Sequence, residues 1–188
     1  AGWASGMLAV LDNVADRSPT GRLQVAGPPI RSLVHANWKM YLENINDTVH
    51  PVSTHESVSS SAQSVWSAHG AAGTPPPLTM QQLLPFGAGY AFYEQMGARV
   101  LPAGHSVLGT RKSLHSGYDG LDGYEASLRA AHGAVRVAEV LGFAPQNAVF
   151  YPSLSVKAMP TALRVVRPLA VDRTLIEAAT DLGDGPIR

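Results

Sequence analysis

The hydrophobic and polar positions of the chain predict helices that alternate with strands. Five apolar residues recur at helical spacing and form one stripe: Leu128, Ala131, Val135, Ala138 and Leu141. This stripe predicts a helix over residues 122–141, with Gly142 as its stop. Shorter helices are predicted over 78–84 and 173–182, and the strand-like segments between them cover 30–38, 59–66, 99–103 and 147–156. Such an alternation predicts an α/β fold with parallel strands.

The composition of the first 30 residues differs from that of the rest of the chain. A short apolar patch is followed by the linker-like run Gly27-Pro28-Pro29. We therefore predict an N-terminal extension or arm over residues 1–30 and one α/β domain over residues 31–188.

Charge and composition narrow the partners that the protein could bind. The 14 basic and 14 acidic side chains give no net charge, and only 15% of the residues are charged. A neutral chain of this kind argues against nucleic acid as a partner and suits contact with other protein chains of a complex. The absence of cysteine excludes disulfides and thiolate metal sites.

The sequence also bears on location. No apolar run approaches the roughly 20 residues that span a bilayer, so we expect no transmembrane segment. The chain begins with Ala1 rather than Met, which is compatible with removal of a targeting peptide. We expect an intracellular protein of the cytoplasm or of an organelle matrix.

One segment holds several potential metal ligands, namely His50, His55 and Glu56. Their setting is rich in Pro and Ser and lacks the His-x-x-x-His spacing that places two imidazoles on one helix face. We predict no metal site here, and no cofactor for the chain.

Four short motifs carry a resemblance to a known family. They are Asn37-Trp38-Lys39-Met40, Ser61-Ala62-Gln63-Ser64-Val65, Gly104-His105-Ser106 and Ser155-Val156-Lys157-Ala158, in that order along the chain. In type and order they resemble the site of triosephosphate isomerase, a (β/α) barrel enzyme. The resemblance implies Lys39 as the electrostatic cation and His105 as the electrophile, with Asn37 and Ser155 as substrate-binding residues.

Other parts of that family's site are missing from the sequence. No segment corresponds to the one that delivers the catalytic base or to the glycine-rich lid, and 188 residues fall short of the roughly 250 of a complete barrel. The resemblance therefore implies an incomplete or degenerate (β/α) barrel with an extended N-terminal arm. Its function would be that of a non-catalytic structural or interaction subunit.

Two alternatives remain open. One is an active isomerase, interconverting dihydroxyacetone phosphate and glyceraldehyde 3-phosphate, whose base is Glu94 or Glu125; only this alternative requires a small-molecule phosphate as ligand. The other is an unrelated α/β binding domain that matches Asn37–Met40 by chance.

Overall fold

The computed structural model describes residues 2–109, 121–142, 145–158 and 161–183. Eight strands pair in this part of the chain: β1 (Leu23–Val25), β2 (Ile30–Val34), β3 (Ala98–Val100), β4 (Ser106–Leu108), β5 (Asn147–Phe150), β6 (Leu154–Ala158), β7 (Thr161–Ala170) and β8 (Arg173–Gly183). They lie in the order β1-β8-β7-β6-β5-β4-β3, and β2 also pairs with β8. Every pairing is antiparallel.

Helices occupy both the start and the middle of the chain. They are α1 (Gly2–Ala15), α2 (Trp38–Asn46), α3 (His50–Thr54), α4 (Glu56–His69), α5 (Leu78–Leu83), α6 (Tyr90–Met96), α7 (Asp122–His132) and α8 (Ala134–Gly142). Single 3₁₀ turns lie at Leu84–Gly87 and Pro102–Gly104. No helix in the described residues is long and apolar enough to cross a membrane.

The two faces of the sheet are covered by different helices. On one face, α1 buries its apolar stripe against the central strands, in a cluster of Met7, Val10, Val14, Val107, Ala148 and Val156. On the opposite face, α2 does the same in a cluster of Leu42, Ile45, Val149, Val166 and Ile176. Successive side chains of a strand point to opposite faces, which is why Ala148 faces α1 and Val149 faces α2. Each fully buried Val, Leu, Ile or Met side chain in these two clusters stabilises the fold by about 1.5–3 kcal/mol.

Helices α7 and α8 are tied to the end of α1 by buried hydrogen bonds. The Tyr124 hydroxyl donates to the carbonyl of Arg17 at 2.7 Å. The Arg17 guanidinium in turn donates to the carbonyl of Val140 at 2.6 Å, and Asn13 donates to the same carbonyl at 3.1 Å. These bonds give Asn13 of α1, and Arg17 just after it, the partners that buried polar side chains require.

The predicted parallel (β/α) barrel is wrong, because the structure is an open antiparallel sheet. Two segments account for most of the error. Residues 173–182, predicted as a helix, form β8, which is hydrogen-bonded to β7 on one side and to β1 and β2 on the other. Residues 147–156, predicted as one strand, contain the tight β5–β6 connection at 151–153.

Other expectations were wrong or were met only in part. Residues 59–66, predicted as a strand, lie in α4. The helix predicted over 122–141 is present, but it breaks into α7 and α8 at Gly133, whose φ of 80° lies in the left-handed region. The expected extended arm is also wrong, because residues 2–15 are helical and α1 packs into the core. The domain boundary at residue 30 stays a prediction.

Candidate functional site

A cleft lies alongside α2, on the face of the sheet that this helix covers. Its larger part has a volume of about 440 Å³ and is lined by Leu42, Glu43, Asn46, Asp47, Gly104, Val149 and Tyr151. A smaller part of about 230 Å³ continues under β3 and β4 and shares Asn46 and Gly104 with the first. We refer to the two parts together as the α2 cleft.

Hydrogen bonds fix both ends of α2 beside this cleft. At its start, the Asn37 side chain accepts from the amide of Lys39 at 3.1 Å and donates to the carbonyl of Val171 at 2.9 Å. At its end, the Asn147 side chain donates to the carbonyl of Ile45 at 2.9 Å. The first bond is an N-cap, which satisfies an amide that the helix itself leaves without an acceptor.

Asp47 organises the turn that follows α2. Its carboxylate accepts from the amide of Val49 at 2.7 Å and from the amide of His50 at 3.3 Å. It also lies 3.2 Å from Nδ1 of the His50 ring. The hydrogen bond from the Val49 amide is the main reason why the pKa of Asp47 lies below its ordinary value, with smaller contributions from His50. Asp47 is therefore an ionised acceptor for His50 at neutral pH.

His50 and His55 lie at the two ends of α3 and face each other. Their ring centres are 5.2 Å apart in an edge-on arrangement, and the His55 ring also packs on Phe86 at 5.3 Å. With Nδ1 of His50 directed to Asp47, Nε2 is the nitrogen left for another contact; Asn44 Nδ2 lies 3.3 Å from it. A carboxylate that holds one ring nitrogen in this way is the usual support of a metal-binding imidazole.

The spacing of the two rings suits one metal ion. Metal–imidazole bonds of about 2.0–2.1 Å place the ring centres of two ligands on one ion roughly 5 Å apart. Within the described residues, however, no three His, Cys, Asp or Glu side chains come together as a metal site. His50 and His55 thus fit as two ligands, and no third protein ligand is found in that part of the chain.

The four residues predicted from the isomerase motifs are placed as follows. Lys39 is exposed in the first turn of α2, with Nζ 5.8 Å from the centre of the Trp38 ring, and Asn37 is the N-cap described above. His105 lies between Pro102–Gly104 and β4, where its Nδ1 accepts from the amide of Tyr151 at 3.0 Å. Ser155 is fully buried in β6. Whether any of the four acts on a ligand stays a prediction.

Tyr151 connects the beginning of α2 with His105. Its ring packs on Trp38 with the ring centres 5.7 Å apart, while its amide binds the His105 ring. The motifs around residues 38 and 105 are thus near each other through Tyr151, which itself lines the α2 cleft.

The sequence pattern did not predict a site at His50 and His55, whose rings the structure brings together. Pro51 suggested a loop around His50 and His55, but it occupies the first turn of α3, where a helix accepts proline readily. The available signal was Asp47 three residues before His50. An acidic side chain in that position can accept from the backbone amides that begin the next helix.

Comparisons with known proteins identify the fold. No family model matches the chain, and no curated protein matches it. Among solved structures it is similar to naphthalene 1,2-dioxygenase with indole bound in the active site, with a TM-score of 0.54 and 21% identity over 100% of this chain and 41% of that chain. A mutant naphthalene 1,2-dioxygenase bound to phenanthrene matches with a TM-score of 0.52 and 21% identity, over 94% and 39% of the two chains.

A third structure of the same kind gives a similar result. Naphthalene 1,2-dioxygenase from Rhodococcus sp. bound to indole matches with a TM-score of 0.53 and 19% identity, over 96% of this chain and 40% of that one. The chain therefore spans about two fifths of the length of these solved chains. At this level of identity, the likeness shows that the chain has the fold of part of a dioxygenase.

These findings correct the functional expectations. The resemblance to triosephosphate isomerase is wrong, and so is the function it implied, whether as a non-catalytic subunit or as an active isomerase. Of the two alternative bases, Glu125 pairs with Arg129 on α7, and Glu94 is exposed on α6. Only the isomerase alternative required a small-molecule phosphate as a ligand, so that expectation no longer applies.

Proposed function

We propose that the chain forms part of the catalytic domain of an oxygenase that acts on an aromatic compound. The observation that carries the proposal is the ring contact of His50 and His55, in a fold that resembles naphthalene 1,2-dioxygenase. Asp47, which contacts the His50 ring, lines the α2 cleft. Two histidines and one carboxylate, with open positions, are the ligand set of non-haem iron oxygenases. The solved neighbours carry indole and phenanthrene, so the aromatic class of substrate comes from that likeness.

In this proposal His50 and His55 hold the metal, and the ion supplies the capacity to activate dioxygen. Asp47 keeps the proton of His50 on Nδ1, so that Nε2 can coordinate the metal in place of its 3.3 Å contact with the Asn44 side chain. The α2 cleft gives the substrate a place beside the metal, and Val149 and Leu42 form its apolar lining. Tyr151 and Gly104 also line it.

Metal binding in solution tests this proposal. The chain should bind one Fe(II) under anaerobic conditions, measured by calorimetry, and binding should be lost in both His50→Ala and His55→Ala. His69→Ala is the matched control, because His69 is an exposed histidine at the end of α4. Asp47→Asn should weaken binding by about 10–100-fold, the usual effect of losing such a support. Fe(II) binding that survives both alanine variants would overturn the proposed site.

The reaction itself is tested with isotopic oxygen. The iron-loaded protein, supplied with an electron donor, should incorporate ¹⁸O from ¹⁸O₂ into naphthalene or indole. Because the chain spans about two fifths of its solved neighbours, the assay belongs in the longest form of the protein that can be produced. Products without ¹⁸O would contradict an oxygenase.

Partners and location are proposed from the surface and the sequence. Val25, Ile30 and Leu33 are more than half exposed along β1 and β2, at one edge of the sheet. An exposed apolar edge strand is a surface that natural proteins cover or protect. We propose that another protein chain covers it, and that nucleic acid is no partner of this neutral chain. An intracellular location, in the cytoplasm or an organelle matrix, stays a proposal from the sequence.

A further inference from the structure

The α2 cleft combines apolar surface with an accessible aromatic residue. Its larger part, of about 440 Å³, is lined among others by the buried residues Leu42 and Val149. Tyr151 also lines it and is 41% exposed, so a molecule in the cleft can reach this residue. Pockets of roughly 300–1,000 Å³ with apolar lining are typical sites for small molecules. An aromatic side chain adds a preference for a flat ring, so this part of the cleft suits an aromatic ligand.

The charged residues that line the cleft are both acidic. They are Glu43 and Asp47, and none of the described residues that line either part of the cleft is basic. The two acids are four residues apart, at the end of α2 and just after it, and this spacing places them on the same side of the helix. A site lined by charges of one sign attracts ligands of the opposite sign. The cleft therefore favours a cation over an anion.

Of these two acids, Glu43 is the one left for a ligand. Asp47 is already engaged by the backbone of the turn after α2 and by the His50 ring. Glu43 forms no ion pair with a described residue. Lys39 lies one turn earlier on α2, a spacing at which a lysine can pair with a glutamate. Its Nζ lies instead 5.8 Å from the centre of the Trp38 ring.

Asn46 adds an acceptor next to Glu43. It lines both parts of the cleft, and its Oδ1 accepts from the Ser106 hydroxyl at 3.1 Å. An amide oxygen has two lone pairs, so Oδ1 can accept a second hydrogen bond. Glu43 and Asn46 are three residues apart, which makes them neighbours on the surface of α2. An ammonium group, with three N–H donors and no acceptor, matches this pair of acceptors.

We infer that the α2 cleft binds an aromatic amine, with its ammonium group at Glu43 and Asn46 and its ring against Val149 and Tyr151. This inference rests on the proposed oxygenase function and names its substrate class. Glu43 accepts a charge-assisted hydrogen bond from the ammonium group, and Asn46 accepts a second one. Indole and phenanthrene, which the solved neighbours bind, have no ammonium group and would not require Glu43.

The test compares three probes that share one ring system and differ in charge: tryptamine, 3-propylindole and indole-3-propionate. Calorimetry on the wild-type protein should show tryptamine binding about 5–10-fold more tightly than 3-propylindole, and indole-3-propionate binding most weakly. Glu43→Gln should remove the advantage of tryptamine and leave the affinity for 3-propylindole unchanged. Glu43→Lys should reverse the order and favour indole-3-propionate. Glu94→Gln is the matched control, because Glu94 is exposed on α6 and does not line the cleft.

The outcomes separate this inference from the function on which it rests. Equal affinity for tryptamine and 3-propylindole, or unchanged tryptamine binding in Glu43→Gln, would overturn the amine site. n-Hexylamine that binds as tightly as tryptamine would overturn the aromatic class of ligand. All probes are measured with Fe(II) and without it, so loss of iron binding in the His50 and His55 variants bears only on the oxygenase function. Circular dichroism of each variant confirms that a change of affinity does not reflect unfolding.

Discussion

Replacing Lys157 by methionine should stabilise the protein at neutral pH. Lys157 is desolvated on β6 and lies near the like charge of Arg164, and its pKa falls to about 8 from an ordinary value of 10.5. The folded state thus holds the Lys157 proton less tightly than the unfolded chain does. Methionine keeps the length and flexibility of the side chain without the charge, so the packing can be retained.

The size of the effect follows from the two pKa values. Each pH unit between them corresponds to 1.36 kcal/mol, so the charged lysine costs the folded state about 3 kcal/mol at pH 7. Below pH 8 both states hold the proton and the cost is complete. As the pH rises from 8 to 10.5 the folded state loses the proton first, and the cost disappears. At pH 9.5 the gain from Lys157→Met should therefore be only about 1.4 kcal/mol.

Urea unfolding at pH 7 and at pH 9.5 measures this gain directly. Lys39→Met is the matched control, because Lys39 is exposed, and its effect should stay within about 0.5 kcal/mol at both pH values. A Lys157→Met variant that is less stable than wild type at pH 7 would refute the reasoning. So would a gain that does not change between the two pH values.

Three further substitutions test other parts of the structure. Leu128→Ala should lower the free energy of unfolding by about 2–5 kcal/mol in urea, because Leu128 is completely buried between α7 and α8. Tyr124→Phe should cost about 1–3 kcal/mol in the same assay, because it leaves the carbonyl of Arg17 without its buried donor. Gly104→Ala should destabilise by at least about 1 kcal/mol and weaken ligand binding in the α2 cleft, because φ is +81° and the new Cβ would meet the Tyr151 ring at 3.0 Å. Wild-type stability in any of these variants would contradict the corresponding contact.

Local patterns predicted several elements but not their arrangement. The helix predicted over residues 78–84 is present as α5, Leu78–Leu83, and the strand predicted over 30–38 is present in its first part as β2, Ile30–Val34. Residues 173–182 were predicted as a helix that is capped by Asp172 and ends at Gly183. In the structure these residues are paired on both sides, and such pairing overrides local propensity.

The candidate site shows the same limit. Asn37 was recognised as important, but as the end of a strand; its role as the N-cap of α2 depends on how residues 38–46 pack on the sheet. His50 and His55 were recognised as potential ligands and set aside, because their ring contact exists only once α3 has formed. The position of Arg164 opposite Ser155 depends on the register of β6 and β7. No spacing within one segment could have shown that pairing.

An iron-soaked crystal tests the central claim most directly. Anomalous scattering at the iron edge should give one peak about 2.1 Å from a ring nitrogen of both His50 and His55, the ordinary metal–imidazole distance. The peak should be absent in crystals of His55→Ala. A peak located elsewhere, or no peak in a crystal whose iron content is confirmed by fluorescence, would contradict an oxygenase centre at the α2 cleft.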